Sequence, residues 1–259
     1  MDVADTAKGA LVLAPRLAAV ADMVPAGSVV ADIGTDHATL PIALVRAHRA
    51  PRAIASEVAP APFENARRVV AEAGLASLID VRFGSGLSVL EPGEAESIVL
   101  AGMGAWTILD IIHARPEVAR AAAALVLQPQ TEPVLIRRTL AQEGFSLGDE
   151  RLAREGEHFY VVMAYHWSGE AGSGATSPAL LGSRDPAGIP DDLLWEIGPR
   201  LVAARDRLLA PFLEQLAAIE EQKLAGQGRG ATSRAHAAQA RTAERLAALN
   251  RLLSQLQTS

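Results

Sequence analysis

The sequence predicts an α/β fold, a mostly parallel sheet covered by helices on both faces, with a helical hairpin appended after it. Three observations carry this. Between residues 28 and 144, short apolar runs alternate with helix-like stretches. Several of those runs are apolar at every position, as strands buried on both faces must be. After a segment rich in Gly, Ser and Pro, the chain switches to leucines at helical spacing.

The elements follow in order. Strands are expected at SVVADI (28–33), AIASEV (53–58), LIDVRF (78–83), ESIVLA (96–101) and AALVLQ (123–128), with helices at 39–48, 61–73, 105–114 and 132–143 between and after them. Right-handed crossovers wind these units into a doubly wound sheet. FSLGDERLAREG and EHFYVVMAYHW, joined at Glu155-Gly156, read as an antiparallel hairpin at the sheet edge. The α/β domain is therefore expected over 1–167, a linker over 168–190, and a helical hairpin over 191–259. In that hairpin Leu201, Leu208, Phe212, Leu216 and Ile219 form one apolar face, and AGQGRG (225–230) breaks the helix. Thr242, Leu246, Leu249, Leu253 and Leu256 resume at spacings of 4, 3, 4 and 3. Two helices folded back as a coiled coil fit this pattern. The short glycine break favours pairing within one chain, hence a monomer.

Composition narrows the function. There is no cysteine among 259 residues, which removes disulfides, thiolate metal sites and a thiol nucleophile. The six histidines form no ligand-spaced pair, so no metal site is expected. No uncharged run approaches the ~20 residues that span a bilayer. The N-terminal stretch, with Asp2, Asp5, Pro15, Arg16 and Asp22, lacks the pattern of a signal peptide. A cytoplasmic protein is expected. The net charge of −6 is uneven: residues 1–183 carry 14 Lys+Arg against 21 Asp+Glu, residues 184–259 carry 10 against 9. Arg229, Arg234, Arg241, Arg245 and Arg251 lie close together opposite one Glu244. They form either a positive stripe or an ordinary solvated helix face.

In an open parallel sheet the ligand sits at the carboxyl ends of the strands, where strand order reverses. The first loop there is Asp32-Ile33-Gly34-Thr35-Asp36-His37, and Gly34 allows a tight turn with free N–H groups at the following helix. A pyrophosphate loop prefers G-x-G-x-x-G; this one has a single glycine flanked by acids, which repel phosphate and suit a cation. S-adenosylmethionine, with a sulfonium and an ammonium, fits where NAD does not. Glu57 ends the second strand 23 residues after Gly34 and can accept from both ribose hydroxyls, or else it is simply solvated. Gly84-Ser85-Gly86 closes the third strand, offering Ser85 to an adenine amino group or making only a turn. Ala101-Gly102-Met103-Gly104 leaves room for a substrate base, or provides close packing at a helix start. Trp106 can stack on a base or be buried.

The combination is more specific than any loop alone. PRLAAVADMVPAGSVVADIGTDHATLPIALV (15–45), PFENARRVV (62–70), RFGSGLSVLEPGE (82–94), IVLAGMG (98–104), LVLQPQ (125–130) and EIGPRL (196–201) resemble the bacterial tRNA (adenine-N1)-methyltransferases that modify adenine 22. The resemblance implies a class I S-adenosylmethionine-dependent methyltransferase fold, Rossmann-like with a seven-stranded sheet ending in an antiparallel hairpin. It implies S-adenosylmethionine at Asp32, Gly34, Thr35, His37, Glu57, Gly84, Ser85, Gly86, Ala101, Gly102 and Met103. It implies tRNA as acceptor, met by Gly104, Trp106, Gln128, Pro129, Gln130 and the arginines 234, 241 and 245. The chain departs from the family pattern at Ala105-Trp106, Gln130 and Ser85.

Methyl transfer to a ring nitrogen is an in-line displacement, for which alignment and water exclusion are the main demands. Asp36 is the candidate to stabilise the cationic adenine or to take its proton, with a helix cap as the alternative role. Lack of cysteine excludes thiolate-dependent pyrimidine methylation, and lack of a [DN]PPY element argues against an exocyclic amine. Competing expectations are a small-molecule methyltransferase and a non-catalytic nucleotide-binding scaffold with a coiled-coil arm.

Overall fold

A computed structural model describes residues 12–169, 189–226 and 233–257. The expected linker over 168–190 lies almost wholly outside these residues, as does most of the AGQGRG break. In chain order the elements are α1 (Pro15–Met23), β1 (Val30–Ile33), α2 (Thr39–Arg46), β2 (Ala53–Glu57), α3 (Pro60–Glu72) and β3 (Ile79–Phe83). β4 (Ser97–Gly104), α4 (Ala105–Ala114), α5 (Pro116–Ala121), β5 (Ala124–Thr131), α6 (Pro133–Gln142), β6 (Phe145–Glu155) and β7 (His158–Trp167) complete the sheet region. Four helices follow: α7 (Asp191–Ile197), α8 (Pro199–Ala204), α9 (Leu209–Gly226) and α10 (Ser233–Gln257). Proline stands at the start of α1, α3, α5, α6 and α8, where its fixed φ suits the first turn and its missing N–H costs nothing.

The seven strands lie in the order β3-β2-β1-β4-β5-β7-β6. All pairs from β3 to β5 are parallel, and β7 joins β5 antiparallel. The hairpin expected at the edge is there, with β6 outermost. β1 lies between β2 and β4, so the reversal of strand order falls at its carboxyl end. Alternate residues feed two cores. Val30, Val99, Val126 and Val162 face α1, α2 and α3. Ala31, Ile98, Leu100, Leu125 and Leu127 face α4, α5 and α6.

Three expectations need correction. β4 and β5 run to Gly104 and Thr131, three residues beyond the expected ends, because their tails pair with each other through an irregular register. The expected single helix bearing Leu201 and Leu208 is broken: Arg205 has φ +50, and the Asp206 carboxylate accepts from the Leu208 N–H to start α9 afresh. The expected face holds at Leu201, which is buried, and at Leu208, Phe212 and Leu216, which pack at the core's margin, but not at Ile219, which is 39% exposed. Leu209, Leu213, Ala217 and Glu220 are the buried residues of α9. On α10, Thr242 and Leu249 are buried as expected, and Leu246, Leu253 and Leu256 pack at the margin.

The helices α7 to α10 share the apolar core of α4 to α6 through Leu193, Ile197, Leu201, Leu213 and Leu249. Polar contacts reinforce the junction. Arg137 and Glu150 form an ion pair of 2.6 Å with both side chains fully buried. The Arg137 guanidinium also donates to the carbonyls of Trp195, Glu196 and Ile197 at the end of α7, and Glu150 accepts from the Arg200 N–H. Gly198, at φ +116, lets the chain turn there; a Cβ would stand 2.8 Å from Arg137 Nη2. Along β6, the Leu147 carbonyl accepts from Arg200 Nε and the Leu152 N–H donates to Asp206.

Candidate active site

The crevice at the β1/β4 reversal is built from five strand ends, those of β1 to β5. Asp32, the penultimate residue of β1, is 6% exposed, and its Oδ2 accepts from the Thr35 hydroxyl at 2.7 Å. Burial pushes its carboxyl up to about 6; the Thr35 hydroxyl opposes this and the nearby Glu57 charge adds to it. Gly34, at φ +74, makes the turn. A Cβ there would meet the Met103 ε-methyl at 2.4 Å, so the absence of a side chain lets β4's tail lie against the loop.

The loop then latches onto the end of β2. The N–H groups of Gly34 and Thr35 both donate to the Ser56 carbonyl, at 2.9 and 3.0 Å, and the Asp36 N–H donates to Glu57 Oε1 at 2.5 Å. These loop amides are therefore engaged within the protein, ahead of the N-terminus of α2, where the free N–H groups are expected. Asp36 is not the cap of α2. That position belongs to Ala38, which makes no side-chain cap, and the Asp36 carboxylate is 70% exposed at φ +54. Its neighbour His37 sets Nε2 3.3 Å from Asp36 Oδ2. Glu57 is buried beside them.

At the end of β3, the Gly84 N–H donates to the Glu57 carbonyl, and Val89 would crowd any Cβ at Gly84. Ser85 is exposed and makes no cap to the short turn at Gly86–Val89. Beside this end stand two residues that the sequence reading misses. Val58 and Phe83 are 61% and 57% exposed, and Phe83 is held edge-on by Phe63 at 5.4 Å. Exposed apolar side chains next to a strand-end acid and a strand-end glycine suit a flat heterocycle. The signal is present in the sequence, since each directly adjoins a residue that the strand pattern selects.

The ends of β4 and β5 form the other wall. Ala101, Gly102 (φ +78), Met103 and Gly104 lead into α4, where Trp106 is 62% exposed. The alternative of a buried Trp106 is thereby removed. Gln128 corrects an expectation in the other direction. It is fully buried; its Oε1 accepts from the Gly102 N–H (3.1 Å) and Arg16 Nη1 (2.8 Å), and its Nε2 donates to the Pro129 carbonyl. The amide oxygen is spent on the 101–104 loop and Arg16, the nitrogen on the Pro129 carbonyl, and the buried group faces no substrate. Pro129 is buried with it, while Gln130 is exposed. Arg16, also missed, ties this knot to the hairpin, since its N–H donates to Glu155 and its guanidinium lies over Tyr160.

Of the helical arginines, Arg245 is engaged by Asp192, Glu196 and Glu220 and is thereby withdrawn from the expected substrate-facing set. Arg241 is exposed, the Arg234 side chain lies outside the described residues, and Arg229 does too. A second group of arginines gathers elsewhere, two of them in exposed ion pairs, Arg151 with Asp149 at 3.5 Å and Arg154 with Glu157 at 3.3 Å. A cavity of about 650 Å³ between α1, β6 and the α8–α9 turn is lined by Arg151, Arg154, Arg205 and Arg207. Its acids are occupied: Asp22 by Arg49, Asp149 by Arg151 and the Glu150 N–H, Glu150 by Arg137, and Asp206 by two backbone amides. Among the described residues no cluster of three metal-ligating side chains occurs, and no helix is long and apolar enough to cross a membrane.

Comparison with known proteins adds to this geometry. Residues 13–163 match the family model described as a methyltransferase domain. The curated tRNA (adenine(22)-N(1))-methyltransferase of Bacillus subtilis (strain 168) is 43% identical over 153 residues, covering 59% of this chain. That alignment spans 64% of the relative's length. The crystal structure of the B. subtilis m1A22 tRNA methyltransferase TrmK is 33% identical, with a TM-score of 0.75 over 94% of this chain and 99% of that one. A Streptococcus pneumoniae protein in complex with S-adenosyl-L-methionine is 25% identical, with a TM-score of 0.74 over 93% of this chain and 100% of its own.

Proposed function

Because the chain belongs to the methyltransferase-domain family, alongside the B. subtilis tRNA (adenine(22)-N(1))-methyltransferase, we propose that it methylates N1 of adenine 22 in tRNA from S-adenosylmethionine. The observation that carries this is the acidic, single-glycine crevice of Asp32, Gly34 and Glu57, which opens beside the small-residue loop 101–104.

The residues fit the donor. Asp32 and Glu57 offer buried carboxylates to a cationic ligand and to ribose hydroxyls, while Val58 and Phe83 flank the adenine. When bound, the donor supplies an electrophilic methyl group on sulfur. The chain's task is to hold the adenine N1 lone pair in line and to keep water out. Arg16 and Gln128 fix the loop on which the base rests. Trp106 and Gln130 are the exposed groups left to meet the base, and Asp36 stabilises the positive charge that N1 attack creates.

The phosphates of tRNA then meet the arginine groove of Arg151, Arg154, Arg205 and Arg207, with the helical hairpin assisting. The enzyme works in the cytoplasm, where such tRNA is found. Incubating the chain with unmodified tRNA transcripts and labelled donor, followed by nucleoside mass spectrometry, is the direct test. A 1-methyladenosine product supports the reading; labelled transcripts bearing a different methylated nucleoside, or none, overturn it.

A further inference from the structure

The exposed Asp36–His37 pair is the end of a longer polar chain that reaches back to α3. Asn65 Nδ2 stands 2.5 Å from His37 Nδ1, and Asn65 Oδ1 accepts from Arg68 Nη2 at 2.7 Å. Arg68 Nη1 is bound in turn by the Glu72 carboxylate at 2.8 Å.

Donor and acceptor chemistry fixes the direction of this chain. A guanidinium has donors only, so the Asn65 atom facing Arg68 is the carbonyl oxygen. The amide nitrogen therefore faces His37, and an amide nitrogen only donates. Nδ1 of His37 must accept, which leaves the ring proton on Nε2, the nitrogen 3.3 Å from Asp36 Oδ2. The loop is held rigidly enough for this to matter. Asp36 and Ala38, on either side of His37, both sit in the left-handed region, at φ 54 and 52. Such residues cost on the order of 1 kcal/mol each and persist where the surroundings over-determine them. The bond from the Asp36 N–H to Glu57 is one such constraint.

We propose that His37 is a positioning residue: a neutral imidazole, its tautomer set from α3 by Asn65 and Arg68, that presents Nε2–H to Asp36 and orients that carboxylate for methyl transfer. This rests on the proposed function and replaces the expectation that His37 contacts the donor.

The test is single-turnover methylation of tRNA by the full chain, combined with donor titration and ¹⁵N spectra of the His37 ring. His37→Ala should slow methylation by roughly 10- to 100-fold, the scale of a misaligned group, with donor affinity within about twofold. His37→Gln, whose amide nitrogen can donate near the position of Nε2, should recover much of that rate. In wild-type protein Nδ1 should resonate as the unprotonated nitrogen, and Asn65→Ala should shift the ring toward the tautomer mixture of free imidazole. A wild-type rate in His37→Ala, a loss of donor affinity in step with the rate, or a protonated Nδ1 in a neutral wild-type ring each overturns the proposal. If wild-type protein makes no 1-methyladenosine, the functional reading fails instead, and the ring spectra still decide the tautomer.

Discussion

Burial holds the Asp32 carboxyl at about 6, well above its ordinary value of 3.8, and the sign of this shift has two consequences. Between about pH 4 and 6 the folded chain keeps a proton that the unfolded chain releases, so this group's contribution to stability declines as pH rises through that window and is level above it. A cationic donor works the other way, favouring the ionised carboxylate. Donor binding near pH 6 should therefore release a proton, and affinity should weaken as pH falls below about 6. Calorimetry in buffers of different ionisation enthalpy measures this, and Asp32→Asn should abolish the linkage. A flat affinity from pH 5 to 7.5 would remove Asp32 as the donor's counter-charge. Asp32, Gly34 and Glu57 are legible in the sequence because each stands where an apolar run stops, a place that the parallel-sheet rule makes meaningful. Gln128 satisfies the same rule yet serves another purpose. A strand-end amide reads identically whether it faces a ligand or a guanidinium 112 residues away, and only the fold brings Arg16 to it.

At the scale of elements, the junction between the sheet and α7–α8 depends on one buried guanidinium. Arg137→Ala would leave the buried Glu150 carboxylate without its counter-charge, held only by the Arg200 N–H, and three helix-terminal carbonyls without a partner. Breaking a buried pair on one side costs about 3–5 kcal/mol, which chemical denaturation should report. The double variant Arg137→Met, Glu150→Leu should recover only part of this, because the carbonyls of α7 and the Arg200 N–H remain unsatisfied. Sequence periodicity finds the strands and the helices α2, α3, α4 and α6, since each repeats its apolar spacing over two turns or more. It misses the division into α8 and α9. That break is made by Arg205 in the left-handed region and an Asp206 carboxylate folded onto its own backbone, a local device with no apolar signature.

Across the whole molecule, net acidity coexists with a local concentration of arginine: the acids beside the groove are committed to backbone amides and to Arg49, Arg137 and Arg151, and Arg205 and Arg207 are both exposed at its rim. Arg205→Glu with Arg207→Glu should weaken tRNA binding and reduce its salt dependence by about one unit of slope per arginine, leaving donor affinity unchanged. Filter binding across a salt series reads both; an unaltered slope would send the phosphates elsewhere. Removing the C-terminal third would be a poorer test, since it would bare Arg137, Glu150 and the apolar residues that α7 and α8 cover. The side chains of Arg200 and Asp206 have one more effect. They fill a carbonyl and an amide on the outer flank of β6, the one long margin where the sheet would otherwise offer itself to a strand from another copy. The helical third thus acts as a sealing strip: before it docks, a newly made chain carries an open selvage, and self-association at that margin competes with completion of the fold.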